Sequence, residues 1–261
     1  MPTLLGRTRI NAIHSALPSQ GEIHPGLRIA HGLDRWPEGD SSDAKHQLIA
    51  KIAELEVPAF YKKALERWQR VTANKMRFHA FRGDISQRLY IGVTRDSPLE
   101  TGVTVSHSYG MPIIPGSSLK GLARAAASYL ERNGSFQIRP EVMQWLFGEG
   151  GDTGESGGLY FHDAWWAGSG EPFIAEIVTP HHTDYYGKEG KKPASDTDSP
   201  IPAPQIAVQG GFYFVIEGDA AWTPVAAALL QNGLQQWGIG GKKSSGYGRF
   251  DTFTATKGNH L

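Results

Sequence analysis

An apolar extended run ends at Pro115-Gly116 and turns directly into a helix, reading Pro112-Ile113-Ile114-Pro115-Gly116-Ser117-Ser118-Leu119-Lys120-Gly121-Leu122-Ala123-Arg124. This junction constrains the fold more than any other stretch, because strand, turn and helix start follow one another without a spacer. Ser117 is expected to cap the helix, its hydroxyl accepting from an amide two or three residues on. The remaining first-turn amides then face the loop, and Lys120 and Arg124 stand one turn apart on one helix face. A helix N-terminus with small residues and cations makes an anion site. The natural anions are phosphates, so the chain reads as one that handles nucleic acid or a nucleotide.

Composition limits this reading without deciding it. The 261 residues suffice for one elaborated domain or two small ones. Formal net charge is zero, so any nucleic-acid surface must be a local patch or be shared with partners. The absence of cysteine excludes disulfides and thiolate zinc sites. No apolar run has transmembrane length, and Arg7 and Arg9 interrupt the short apolar start, so the expectation is a cytoplasmic protein without a signal peptide. The 32 glycines cluster late, where backbone must approach something closely.

Periodicity and punctuation predict α+β, with helices on one face of a mainly antiparallel sheet. Ser41 or Ser42 should cap a helix over 43–56, and Pro58 should restart one through about Arg70. Strands are expected over 88–94, 159–164, 173–178 and 205–217. Helices should run from Ser117 to a stop at Asn133-Gly134, from Pro140 to Phe147, and from Asp219 or Thr223 to Asn232-Gly233. Residues 1–80 read as an irregular and helical extension packed on a core at 81–261. That core carries a polar, proline-rich insertion at about 179–204, of a length that is usually functional or disordered.

A second signal lies near the C-terminus, in Gly238-Ile239-Gly240-Gly241-Lys242-Lys243-Ser244-Ser245-Gly246-Tyr247-Gly248-Arg249-Phe250. Its glycines allow amides to converge on an anion. Lys242, Lys243 and Arg249 add charge, and Tyr247 offers a ring for base stacking. By itself the run also fits a surface hairpin with solvated lysines.

The two signals together resemble the RAMP superfamily of CRISPR proteins. Leu99-Glu100-Thr101-Gly102-Val103-Thr104-Val105-Ser106-His107 and Tyr109-Gly110-Met111-Pro112 are similar to the family of sixth subunits of the Cmr complex, the type III-B RNA-guided effector. So are Val178-Thr179-Pro180-His181-His182-Thr183-Asp184-Tyr185-Tyr186 and Ser199-Pro200-Ile201-Pro202. The resemblance covers about 89–250 and departs at Gly92-Val93-Thr94, where a Gly-Leu-Gly-like turn is expected. It implies a ferredoxin-like, RRM-like RAMP core of the Cas-seven type. It implies guide RNA (crRNA) and target RNA as ligands, and other Cmr subunits as partners, especially the repeated backbone subunit and the other head subunit. The implied role is to hold the guide's 3′ portion and the guide–target duplex in antiviral defence. Target cleavage would belong to an aspartate of the backbone subunit, for which no matching motif is found in this chain. The RNA-contacting residues expected are Ser117, Ser118, Lys120, Arg124, His181, His182, Tyr185, Tyr186, Lys242, Lys243, Tyr247 and Arg249.

Other chemistries fit less well. Ser117-x-x-Lys120 has serine acyltransferase spacing, but Ser-Asp-Asn and Lys-Thr-Gly are absent. Gly110 and Gly116 approach Walker spacing, but Ser117 stands where that loop needs Lys. His162, Asp163, His181, His182 and Asp184 are of metal-ligating type, yet none has helical metal-pair spacing. No metal, cofactor or catalytic residue is expected. The alternative is a stand-alone RAMP endoribonuclease that processes precursor guide RNA, with His79, His107, His181 or His182 as base.

Overall fold

A computed structural model describes residues 24–33, 43–93, 99, 101–134, 137–149, 154–179 and 203–256. Its centre is a strand the sequence reading did not anticipate, β1 (Phe78–Ile85), which pairs antiparallel with β7 (Gly211–Glu217) on one side and β8 (Phe250–Ala255) on the other. Outside β7 lie β4 (Ala164–Trp166) and then β2 (Ile113–Ile114), giving the order β2-β4-β7-β1-β8, while β3 (Tyr160–Phe161) also pairs with β7. A separate antiparallel ribbon joins β5 (Phe173–Val178) to β6 (Ala203–Val208).

Alternation along β7 assigns the two faces. Phe212, Phe214 and Ile216 join the main core, and Tyr213 and Val215 form a second cluster on the other side. The main core is covered by α4 (Gly116–Arg132) and α6 (Thr223–Gln236), which pack on each other. The other face receives α3 (Ala59–Val71), whose Trp68 ring lies 6.4 Å from Phe78 and 6.1 Å from Trp165. The core helix pair thus occupies one face as expected, and a helix from the N-terminal region adds cover to the other. That region is continuous with the core: Tyr61 donates to the Trp166 carbonyl at 2.7 Å, and α2 (Asp43–Ala53) lies against the β5–β6 ribbon. Two further short helices lie among the described residues, α1 (Pro25–His31) and α5 (Pro140–Phe147).

Several boundaries differ from expectation for identifiable reasons. The helix expected to stop at Asn232-Gly233 continues to Gln236, because Gly233 is where α4 crosses closely: a Cβ there would lie 2.8 Å from Leu122 Cγ. The strand expected over 205–217 is two strands that reverse at Gln209-Gly210, with Gly210 at φ +92°. The run 159–164 splits into β3 and β4 around His162-Asp163. Residues 88–93, the described part of that run, form no strand; Leu89 and Tyr90 make single bridges to Val208 and Gly241. The helix expected to reach Glu56 ends at Ala53, and its expected Ser41 or Ser42 cap lies outside the described residues.

Candidate nucleic-acid interface

The two basic sites expected from sequence form at opposite edges of the sheet. β2 leads into α4 at one edge, and the glycine-rich loop enters β8 at the other. Four strand spacings separate those edge strands, about 19 Å at roughly 4.8 Å per strand.

At the first site the helix begins one residue early. Pro115 occupies the N-cap position and no side chain caps the helix, so the cap expected of Ser117 is not made. Instead the Gly116 amide donates to Asp163 Oδ1 at 2.8 Å. The fit leaves no room for a side chain, since a Cβ on Gly116 would lie 1.9 Å from the Phe161 carbonyl oxygen. The α4 first turn has no acidic residue of its own, and Asp163 supplies the negative charge that the helix dipole favours. Ser117 and Ser118 are exposed and Lys120 is half-buried. Arg124 is exposed, with its guanidinium 3.4 Å from the Gly148 carbonyl just past the end of α5. The first site therefore already holds an anion, the protein's own. Sequence reasoning treated Asp163 only as a possible metal ligand; the available signal was an acid breaking an apolar run beside a helix that lacks a first-turn acid.

At the second site the glycines serve the chain itself. Gly241 donates to the Tyr90 carbonyl and Gly248 to the Arg88 carbonyl, both at 2.7 Å. A Cβ on Gly240 would lie 2.2 Å from the Tyr90 oxygen, and one on Gly248 1.9 Å from the Ile239 oxygen. The amides expected to converge on an anion are thus used at Gly241 and Gly248 to bind residues 88–90, as buried backbone donors require. Lys242 adopts a left-handed conformation at φ 54°, followed by a single 3-10 turn at Lys243–Ser245. Lys242, Lys243 and Arg249 are exposed. Lys242 Nζ lies 5.2 Å from the centre of the Tyr90 ring, a cation–π contact. Tyr247 is half-buried, its ring centre 4.8 Å from that of Tyr90.

Beneath this loop sits Glu176 of β5. Tyr90 Oη donates to Glu176 Oε2 at 2.6 Å, and Arg88 Nε lies 3.4 Å from Oε1, an ion pair without hydrogen-bond alignment. Tyr247 lies near enough to feel the same carboxylate's charge. Burial first, and then Glu176, push both tyrosine hydroxyls above their ordinary range.

The remaining candidates separate. His162 pairs with Glu217 at 2.8 Å, and Arg77 Nε donates to Glu217 at 2.7 Å. Burial acts to raise the Glu217 carboxyl, but Arg77 and then His162 hold it below its usual range. Among the described residues no three His, Asp or Glu side chains are arranged to hold a metal. His79 lies on β1, its imidazole lowered by burial. Six residues separate it from Ile85, which pairs with Phe250 just after the glycine-rich loop, or roughly 20 Å along the strand. His181, His182, Tyr185 and Tyr186 lie outside the described residues. Among the described residues no helix is long and apolar enough to cross a membrane.

Comparison with known proteins agrees with this architecture. The chain is homologous to the CRISPR system Cmr subunit Cmr6 of Pyrococcus furiosus, at 25% identity over 229 residues, covering 66% of this chain and 67% of that protein. Its fold matches a chain in the type III-B Cmr-beta structure bound to cognate target RNA, with a TM-score of 0.60 and 19% identity over 82% of this chain and 73% of that one. The RAMP superfamily model matches residues 85–251, from the end of β1 to the start of β8 and across both candidate sites. The chain belongs to the RAMP superfamily.

Proposed function

We propose that this chain is a subunit of a type III-B CRISPR effector of the Cmr kind and grips guide RNA by its phosphates through Lys242, Lys243 and Arg249. The observation that carries the reading is that all three side chains are exposed on a loop whose backbone is bonded to Arg88 and Tyr90. Such a loop presents cations without having to be ordered first, which lowers the cost of binding. The relationship to a Cmr subunit and the fold shared with a chain of a target-RNA-bound complex support the choice of ligand. Other Cmr subunits, the repeated backbone subunit above all, are the protein partners in this reading. Tyr247 offers a ring edge to a base, and Ser117, Ser118 and Lys120 are a weaker second contact, because Asp163 opposes a phosphate there.

The role proposed is non-catalytic. A metal-independent cut needs a histidine base placed at the RNA; of the two candidates among the described residues, His79 stands far from the loop and His107 lies in the turn closed by the Val105–Pro112 bridge. Purified chain incubated alone with repeat RNA should leave it intact. In the assembled complex, replacing Lys242, Lys243 and Arg249 together by alanine should weaken guide binding about 100-fold at 0.15 M salt and flatten the salt dependence by about two units of slope. Phosphate contacts carry no sequence information, so the loss should be equal for unrelated guides. A triple variant with unchanged affinity and slope overturns the reading.

A further inference from the structure

We propose that Glu176 is a positioning residue for RNA binding: by holding Tyr90, whose ring packs on Tyr247 of the loop, it braces the glycine-rich loop and locks it to the β5–β6 ribbon. This rests on the reading of that loop as the guide-binding element. The geometry is specific. Glu176 lies opposite Gln205 in the ribbon, and one of its oxygens takes the Tyr90 hydroxyl at 2.6 Å. The other oxygen faces Arg88 at 3.4 Å. Tyr247 belongs to the loop itself, and its ring packs on Tyr90 with centres 4.8 Å apart. Tyr90 and Arg88 supply the carbonyls that take the Gly241 and Gly248 amides, and Lys242 rests on the Tyr90 ring. Every fastening of the loop to residues 88–90 therefore converges on groups whose side chains meet at one carboxylate.

Chemistry separates this role from a bystander's. A carboxylate beside a phosphate-binding loop repels phosphate, so removing its charge alone would tighten binding. Removing a brace frees the loop and weakens binding, because the ordering then has to be supplied on association. The two effects have opposite signs. The Tyr90 hydroxyl must be protonated to donate, as a tyrosine is at neutral pH.

The test uses the full chain carrying Glu176→Ala, and separately Tyr90→Phe with Tyr247→Phe, which keeps both rings and the Arg88 pair. In the free chain, tryptic cleavage after Lys242 and Lys243 should accelerate about tenfold in each, since cleavage follows local opening. In the assembled complex, guide affinity should fall about tenfold with an unchanged salt slope, because the number of phosphates contacted is the same. Tyr61→Phe removes a buried bond to Trp166 far from the loop and serves as the control for general destabilisation. It should lower the melting temperature and leave guide affinity alone. Unchanged or tighter guide binding in both Glu176→Ala and the double tyrosine variant overturns the proposal, as does a loss matched by Tyr61→Phe. If the Lys242, Lys243 and Arg249 triple variant weakens binding while the Glu176 variants do not, the brace fails and the RNA reading stands. If the triple variant binds as before, the RNA reading fails, and the trypsin arm decides the brace by itself.

Discussion

The start of α4 and the glycine-rich loop look alike in sequence, each a set of small residues beside cations, yet the fold treats them differently. At α4 the helix N-terminus is met by Asp163, and its nearby cations are a half-buried Lys120 and an Arg124 that is exposed but reaches the Gly148 carbonyl. In the loop the backbone amides of Gly241 and Gly248 are also consumed internally, but Lys242, Lys243 and Arg249 remain exposed. The acid beneath the loop, Glu176 of β5, is tied to Arg88 and Tyr90 instead of to the loop's cations. The lesson is that glycine and a helix start describe backbone that can approach something closely. What it approaches is decided by whichever donor or acceptor the fold brings near, and here both backbones meet the protein itself. Binding capacity then resides in the side chains left over.

The comparison breaks most severely at the glycines. Gly116→Ala and Gly248→Ala each force a Cβ to within 1.9 Å of a carbonyl oxygen. Gly248 also sits at φ +74°, where any side chain is strained. Each should cost about 3 kcal/mol of stability, the upper end for overpacking and backbone strain, seen as a lower urea midpoint without RNA. If Gly248→Ala folds as wild type and only RNA binding changes, the loop's glycines serve the ligand and the distinction made here is lost.

A sharper cut is Asp163→Asn. The amide oxygen still accepts from Gly116, but the charge is gone. Stability should drop by about 0.5–1 kcal/mol through the lost interaction with the helix dipole. Guide binding should rise, and Lys120→Ala, expected to reduce binding only about threefold in the native background, should then reduce it more. Equal effects of Lys120→Ala with and without Asp163→Asn, measured by filter binding as a double-mutant cycle, would show that Asp163 does not close this site.

The smallest expected effect concerns acid, away from both sites. Burial lowers the His79 imidazole, so its contribution is fully present above its ordinary value of 6.5 and is lost as pH falls below that. Glu217 is also lowered, so its contribution is present above 4.5 and is lost as pH falls further. Thermal melting should therefore decline gently below pH 6.5 and more steeply below 4.5. His79→Leu should flatten the first decline alone; a melting temperature constant from pH 7 to 5.5 contradicts this.

Much of the architecture was legible before any coordinates. The α4 and α5 helices announce themselves by Pro-Gly and Pro starts and glycine ends, and β5 lies where its apolar run predicts. The central strand β1 was not legible. Phe78-His79-Ala80-Phe81-Arg82-Gly83-Asp84-Ile85 mixes polar and apolar residues because both its faces are covered only in part, and Gly83 is there for the close approach of Phe253 and Phe214. The turn inside 205–217 was legible and missed: Gln209-Gly210-Gly211 breaks the apolar run with a polar residue and a Gly-Gly pair, a hairpin signal.

For the site, sequence alone determined which residues carry charge, where backbone comes close to something, and to which superfamily the pattern belongs. These are local properties, written in residue type and short spacing. Tertiary structure alone decided that Asp163 meets Gly116 across 47 positions and that Glu176 gathers Arg88 and Tyr90. The reason is physical: a buried donor must find an acceptor, and the acceptor's identity depends on which distant segment the sheet brings alongside, a choice no short stretch of sequence contains.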